Sequence, residues 1–529
     1  MYEPLSLFRQ KKNWKYLEEY HCCLLERVSY CLKPEAPAEQ CMNIYVPEIY
    51  LKEDGSISGK KHTNGFTAAD VPVIFENGLA GYQEAEPFAL EDERSAGKTF
   101  LEAGFVYVSC GCRGRSSLNQ EGVRCGKSPL SLVDLKAGIR FLKHLAGVIP
   151  GDMEKIISVG ISAGGAMSSL LGVTEDSPLY QKELEDMGAV LSETDHIFAA
   201  QCYCPIIDLD HADFAYEWMF QGKTHYTGMP FVGFGEGELT PYTKALSEKM
   251  AEAYPDYFNS LNLRHPVTGE TLKIGSGHEG SAFDYLIQKL EESAGKYLFR
   301  MEEEKGPEAV KDYLTGNDQE KKPDHQKKTW VLVPGTDKRG WLSWESGKAK
   351  ITSFDEMQKT YHMRLKKCPA FDDLDLIQAE NQEFGTPDRD KTHFNTDLTP
   401  LMEELAPAYP KESEKYLEGY RQIRGDQELE DRKYRINPLN FIGTGEEAKP
   451  APFFRIRVGS RDADTSLMMT MILALKLLET GRVSTDYEIV WDEGHGRADY
   501  PGEVTEWVMR ITAGRWRDAL HYKKGFGLS

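Results

Sequence analysis

Six short runs, each apolar and bounded by glycine, proline or polar residues, constrain this chain most: Val71–Glu76, Phe105–Ser109, Lys155–Gly160, Ile197–Pro205, Phe453–Val458 and Tyr487–Trp491. Short apolar, β-rich runs of this length read as buried parallel strands. Helical periodicity separates some of them. Leu132, Leu135, Ile139 and Leu142 recur at helical spacing behind a candidate Ser131 cap, and a second run, Ser466–Thr480, stops at Gly481. Strands that alternate with helices predict an α/β fold with a mostly parallel, doubly wound sheet.

The alternation fails between about Ile206 and Arg435. That stretch is polar, with one amphipathic helix candidate at Thr240–Phe258, a strand-like Trp330–Val333 and a dense charge run at Glu302–Lys328 that reads as solvated surface or loop. A structureless loop of that size does not suit a compact protein. The expectation is therefore an inserted domain, 206–435, splitting a core made of 1–205 and 436–529. No repeat of solenoid period is present.

Charge narrows the partners. Lys plus Arg is 63 and Asp plus Glu is 84, a net of −21, which argues against nucleic acid and against an anionic membrane surface. No apolar window reaches membrane-spanning length, and Met1–Tyr30 lacks the apolar core of a secretory signal, so the cytoplasm is expected. The ten cysteines are then expected to be reduced; the C-x-C pairs at 110/112 and 202/204 fall in strand-like runs and read as buried thiols.

The chemistry starts at Gly160-Ile161-Ser162-Ala163-Gly164-Gly165, a G-x-S-x-G turn. An apolar strand precedes it, and Ala166, Met167, Leu170 and Leu171 suit a helix behind it. Such a turn exposes a serine, which needs a neighbouring base to become a nucleophile. Acid and histidine are expected later, each on a loop that follows a strand. Asp462 and Asp464 follow Phe453–Val458, and His495 follows Tyr487–Trp491 in a glycine-flanked loop. Either aspartate also suits the cap of the helix opened by Ser466. The expected triad is Ser162, one of Asp462 and Asp464, and His495, with the Ala163 amide and that of Gly78 (or Leu79) as oxyanion donors. Arg113 and Arg115 read as structural ion pairs or substrate holders, and Asp208 as a weak rival acid. Gly443–Ala448 matches G-x-G-x-x-A, but the Lys449-Pro450-Ala451-Pro452 that follows denies it a helix. No metal-ligand spacing and no cofactor motif occurs.

Beyond the elbow, Met42–Pro47, Arg461–Ser466, the His495 loop, Lys366–Asp372 and Ala379-Glu380-Asn381 resemble bacterial tannases (tannin acyl hydrolases) of the intracellular subtype B kind, within the α/β-hydrolase superfamily. The resemblance spans nearly the whole chain. It is weaker to the secreted fungal tannases, whose paired cysteines are replaced here by Ile161 and Gly494. It implies an α/β-hydrolase core with a lid, and a cofactor-free serine esterase acting on galloyl esters through an acyl-enzyme. Position by position, it implies Asp462 as the triad acid and Asp464, Lys366 (or its neighbour Lys367) and Glu380 as ligands of the galloyl hydroxyls. An esterase for other phenolic acids, such as feruloyl esters, is the alternative of the same fold. A non-catalytic hydrolase-fold binding protein is the alternative of another class, and such proteins usually lack the serine or histidine found here.

Overall fold

The computed structural model describes residues 5–229, 235–317, 319–324, 329–334, 338–443 and 449–513, with the backbone alone at 319–324 and 329–334. Among them, nine strands form one sheet: β1 (Lys15–Leu17), β2 (Cys22–Ser29), β3 (Cys41–Pro47), β4 (Pro72–Asn77), β5 (Val106–Cys110), β6 (Asp152–Ile161), β7 (Ala199–Tyr203), β8 (Phe453–Gly459) and β9 (Ser484–Val490), in the order β1-β2-β3-β5-β4-β6-β7-β8-β9. From β5 to β9 every pairing is parallel, while β1–β2, β2–β3 and β3–β5 are antiparallel. The six apolar runs are the six parallel strands. Helices Leu130–His144, Ala163–Val173 and Leu467–Glu479 cross over between them. This is the doubly wound α/β sheet expected from the sequence.

Several expectations need correction. Helix Leu130–His144 begins after Pro129, so Ser131 lies inside it and turns its hydroxyl to Met167 Sδ (3.8 Å) instead of capping. The polar stretch holds far more helix than the one candidate, which runs Pro241–Ser260 behind a Thr240 cap. Leu209–Met219, Ser281–Lys305, Pro307–Thr315, Leu398–Leu405, Pro410–Gln422 and Gln427–Arg435 are also helical. The charge run is therefore no loop at its start: Ser281–Lys305 ends within it and Pro307–Thr315 follows, with Gln319–Asp324 then pairing antiparallel to Thr329–Pro334. Residues 444–448 of the G-x-G-x-x-A match lie outside the described residues.

The excursion between β7 and β8 is anchored by buried charge. Arg364 makes a two-pronged ion pair with Glu217 on helix Leu209–Met219 (2.7 and 2.6 Å), and both side chains are fully buried. The Tyr216 hydroxyl accepts from the Leu365 and Lys366 amides (3.0 and 2.9 Å), and Asp213 accepts from the Phe371 amide (2.7 Å). One helix thus fixes the backbone of 364–371. Glu217→Ala strands the Arg364 charge in the interior and is expected to lower the unfolding free energy by about 3–5 kcal/mol. Chemical denaturation measures this, and a change within experimental error would reduce the pair to a bystander.

Candidate active site

The loops at the carboxyl ends of β4, β6, β8 and β9 converge on one pocket of about 560 Å³. Ser162 leaves β6 with φ 60° and ψ −122°, a strained conformation that lifts its side chain above the sheet. Only glycine fits beneath: a Cβ at Gly160 would stand 2.1 Å from Gly164 O, and one at Gly165 2.5 Å from Tyr203 O. The Ser162 amide donates to Tyr203 O (3.0 Å), fastening the turn to β7. Asn77, at the end of β4, donates to Val159 O and Gly164 O (3.3 and 3.2 Å) and so ties its loop to the elbow.

His495 Nδ1 lies 2.9 Å from Asp462 Oδ2, and the other oxygen of that carboxylate accepts from the Asp464 amide (3.0 Å). Asp462 is fully buried. Neither aspartate caps the helix that follows; Ser466 does, accepting from the Met468 amide. Burial opposes charge on the His495 imidazole, yet Asp462 and its neighbours outweigh it and the pKa rises well above the ordinary histidine value. The surroundings therefore favour the charged imidazolium.

The structure brings Ser162, His495, Asp464, Lys366, Glu380, Gly78 and Leu79 to the same pocket wall. Lys366 Nζ stands 2.8 Å from Asp464 Oδ1 and 4.1 Å from the centre of the Phe371 ring. Lys367 turns elsewhere, to Asp373 (2.6 Å). Burial opposes the Lys366 charge, but Asp464 and Glu380 hold its pKa above the usual lysine value. For Asp464 burial is overcome by Lys366 and His495, and its carboxyl is held below the usual range. Burial pushes the Glu380 carboxyl up, with Lys366 opposing. Ala163 begins helix Ala163–Val173, and the Leu79 amide points to Asn77 Oδ1 (3.4 Å).

Other candidates separate cleanly. Arg113 pairs with buried Asp134 (2.8 Å) away from the pocket, whereas Arg115 lines it and donates to Gly81 O (2.9 Å). Asp208 accepts from Asn437 and contacts His211 Nδ1 (2.8 and 2.9 Å), remote from His495 in bonding. Two neighbours carry no signal in the sequence. His362 places Nε2 2.8 Å from the Asp462 carbonyl oxygen, and burial drives its pKa down to about 4, so it is a neutral donor behind the acid. Cys204, expected only as a buried thiol, is buried but lies 4.0 Å from His495 Nε2, and its thiol donates to Gly496 O (3.2 Å). Cys204, Asp462 and His495 form the one group of metal-ligand type among the described residues. Within that group Asp462 and His495 Nδ1 already engage each other. No described helix is long and apolar enough to cross a membrane.

The BD-FAE family model, of an α/β-hydrolase family, matches residues 80–217. No curated protein matches the sequence. Among solved structures, a tannin acyl hydrolase from Lactobacillus plantarum is 29% identical with a TM-score of 0.74, over 92% of this chain and 93% of that one. A Fusobacterium nucleatum tannase is 29% identical with a TM-score of 0.73, over 93% and 95%. A tannin acyl hydrolase in complex with ethyl gallate is 28% identical (TM-score 0.74, 93% and 94%), and one in complex with 3,4-dihydroxybenzoate is similar to the same degree at 0.73. The likeness to tannases runs through the excursion as well as the sheet. Sheet, elbow and neighbours make the fold that of an α/β hydrolase and the chain a carboxylic ester hydrolase.

Proposed function

We propose that this carboxylic ester hydrolase cleaves galloyl esters, those of hydrolysable tannins and simple gallates, and releases gallic acid through an acyl-enzyme. Ser162 Oγ attacks the ester carbonyl carbon while His495 Nε2 takes the hydroxyl proton. Asp462 holds the ring tautomer and steadies the imidazolium. The Ala163 and Gly78 amides receive the oxyanion; Gly78 is preferred over Leu79 because the Leu79 amide already faces Asn77. The intermediate collapses, His495 returns the proton to the departing alcohol, and water attacks the acyl group by the same path in reverse. No cofactor is required by this chemistry.

The observation that carries the galloyl reading is the pairing of Lys366 with Asp464 beside Glu380, in the pocket that also holds Ser162 and His495. Three adjacent phenolic hydroxyls match this set: they donate to Asp464 and Glu380 and accept from Lys366. The similar enzyme with ethyl gallate supports the same match. In this reading residues 206–435 form a lid inserted in a core of 1–205 and 436–529, and the lid supplies two of the three hydroxyl ligands.

The relative bound to 3,4-dihydroxybenzoate favours esters of that acid as a second reading. A panel of methyl gallate, methyl 3,4-dihydroxybenzoate, methyl ferulate and methyl benzoate separates them. Methyl gallate is expected to lead, with kcat/KM for methyl benzoate about 10⁴-fold lower because buried polar groups are left unpaired. Comparable values across the panel would remove the hydroxyl-reading role from Asp464, Lys366 and Glu380.

A further inference from the structure

The residues proposed to hold the galloyl hydroxyls share their pocket of about 560 Å³ with Ser162 and His495, a volume that exceeds what one trihydroxybenzoyl group needs. The leaving-group side is set by the chemistry: the leaving oxygen must face His495, which protonates it. Two residues after His495, Arg497 donates to Arg94 O (3.1 Å) and to Glu76 Oε1 (2.6 Å), so the Arg94 segment borders the leaving-group side. Phe88 and Arg94 both line the pocket. Phe88 abuts the candidate oxyanion loop so closely that a Cβ on Gly78 would stand 2.6 Å from its ring.

Arg94 is held flat. Its Nε and one terminal nitrogen donate to the two oxygens of Asp92 (3.0 and 2.6 Å), and its guanidinium carbon lies 5.0 Å from the Phe88 ring centre. Its side chain is nevertheless 71% exposed. The guanidinium thus sits over Phe88 with one edge spent on Asp92, and the rest of it is exposed where Arg94 lines the pocket. A guanidinium immobilised in this way offers stacking, because an aromatic face is attracted to the cation and matches its plane.

We propose that Arg94, backed by Phe88 and clamped by Asp92, is the platform of a leaving-group subsite that takes an aromatic alcohol or phenol. It rests on the galloyl-ester reading above and adds the class of alcohol that the enzyme prefers.

Benzyl gallate and cyclohexylmethyl gallate have alcohols of similar size and acidity but only one is aromatic, so their kcat/KM ratio reports the stacking. The wild type is expected to favour benzyl gallate about tenfold. Arg94→Ala and Arg94→Lys are both expected to bring the ratio near one, since lysine keeps the charge without the plane. A wild-type ratio near one, or a preference that survives both substitutions, overturns the subsite. Methyl gallate run alongside separates the two levels: its turnover with no aryl preference sinks the subsite alone, whereas no turnover of any gallate removes the parent reading and the subsite with it.

Discussion

With Ser162 replaced by alanine, turnover of methyl gallate is expected to fall about a millionfold in kcat, leaving what binding and oxyanion donors alone sustain. The size of the loss follows from how the elbow is built. The Ser162 backbone is held at positive φ by the Tyr203 carbonyl and by glycines that admit no side chain. Its side chain forms no cap to the helix that follows, so the folded state does not depend on it. Thermal unfolding should therefore be unchanged while rapid-mixing experiments lose the burst of released alcohol that acyl-enzyme formation gives. Activity kept within about a hundredfold of wild type would take the nucleophile's role away from Ser162.

Asp464→Ala carries the second large effect, and it is selective. For methyl gallate kcat/KM is expected to drop about 10³-fold or more, because a charged acceptor of a phenolic hydroxyl is lost in a buried site. For 4-nitrophenyl acetate, which presents no hydroxyl, the drop should stay within about tenfold. Lys366 loses its nearest partner in this variant but keeps Glu380 as a neighbouring opposite charge. An unfolding measurement on the same sample shows whether that suffices to keep the pocket intact. Equal losses on both esters would mean that Asp464 serves the proton transfer or the fold, not the ring.

Legibility in the sequence followed burial and locality. The parallel strands showed because β4, β5, β7 and β8 are buried along their length, β6 over its second half and β9 in its last two residues, and the elbow because its turn tolerates only small residues. Ser162, Asp462 and His495 could be placed in order because each stands on a loop just after such a strand. The antiparallel edge was missed: β2 is only half buried and its register shifts between Leu25 and Val28, which breaks any alternation. The excursion's helices were missed for a related reason. Gln427–Arg435 buries Leu429 together with Arg432, Lys433 and Arg435, so its inward face carries charge and no apolar stripe marks it. Lys366 and Glu380 had no pattern of their own and were found only through the tannase resemblance. What sets them is tertiary: Tyr216 and Arg364 aim the first, and a single turn of helix at Ala379–Glu383 presents the second. Cys204 and His362 reach the histidine and its acid only through folding, and no local spacing announces them.

One contact couples duties that many esterases keep apart. Asp464 Oδ1 engages Lys366, while its other oxygen stands 3.8 Å from His495 Nε2. The carboxylate proposed to measure the ring thus also adds to the field on the imidazole, weakly enough that its loss is expected to cost a plain ester no more than about tenfold. Retuning this pocket for an acid without hydroxyls would therefore bring a secondary change at the imidazole, small beside the breadth it opens.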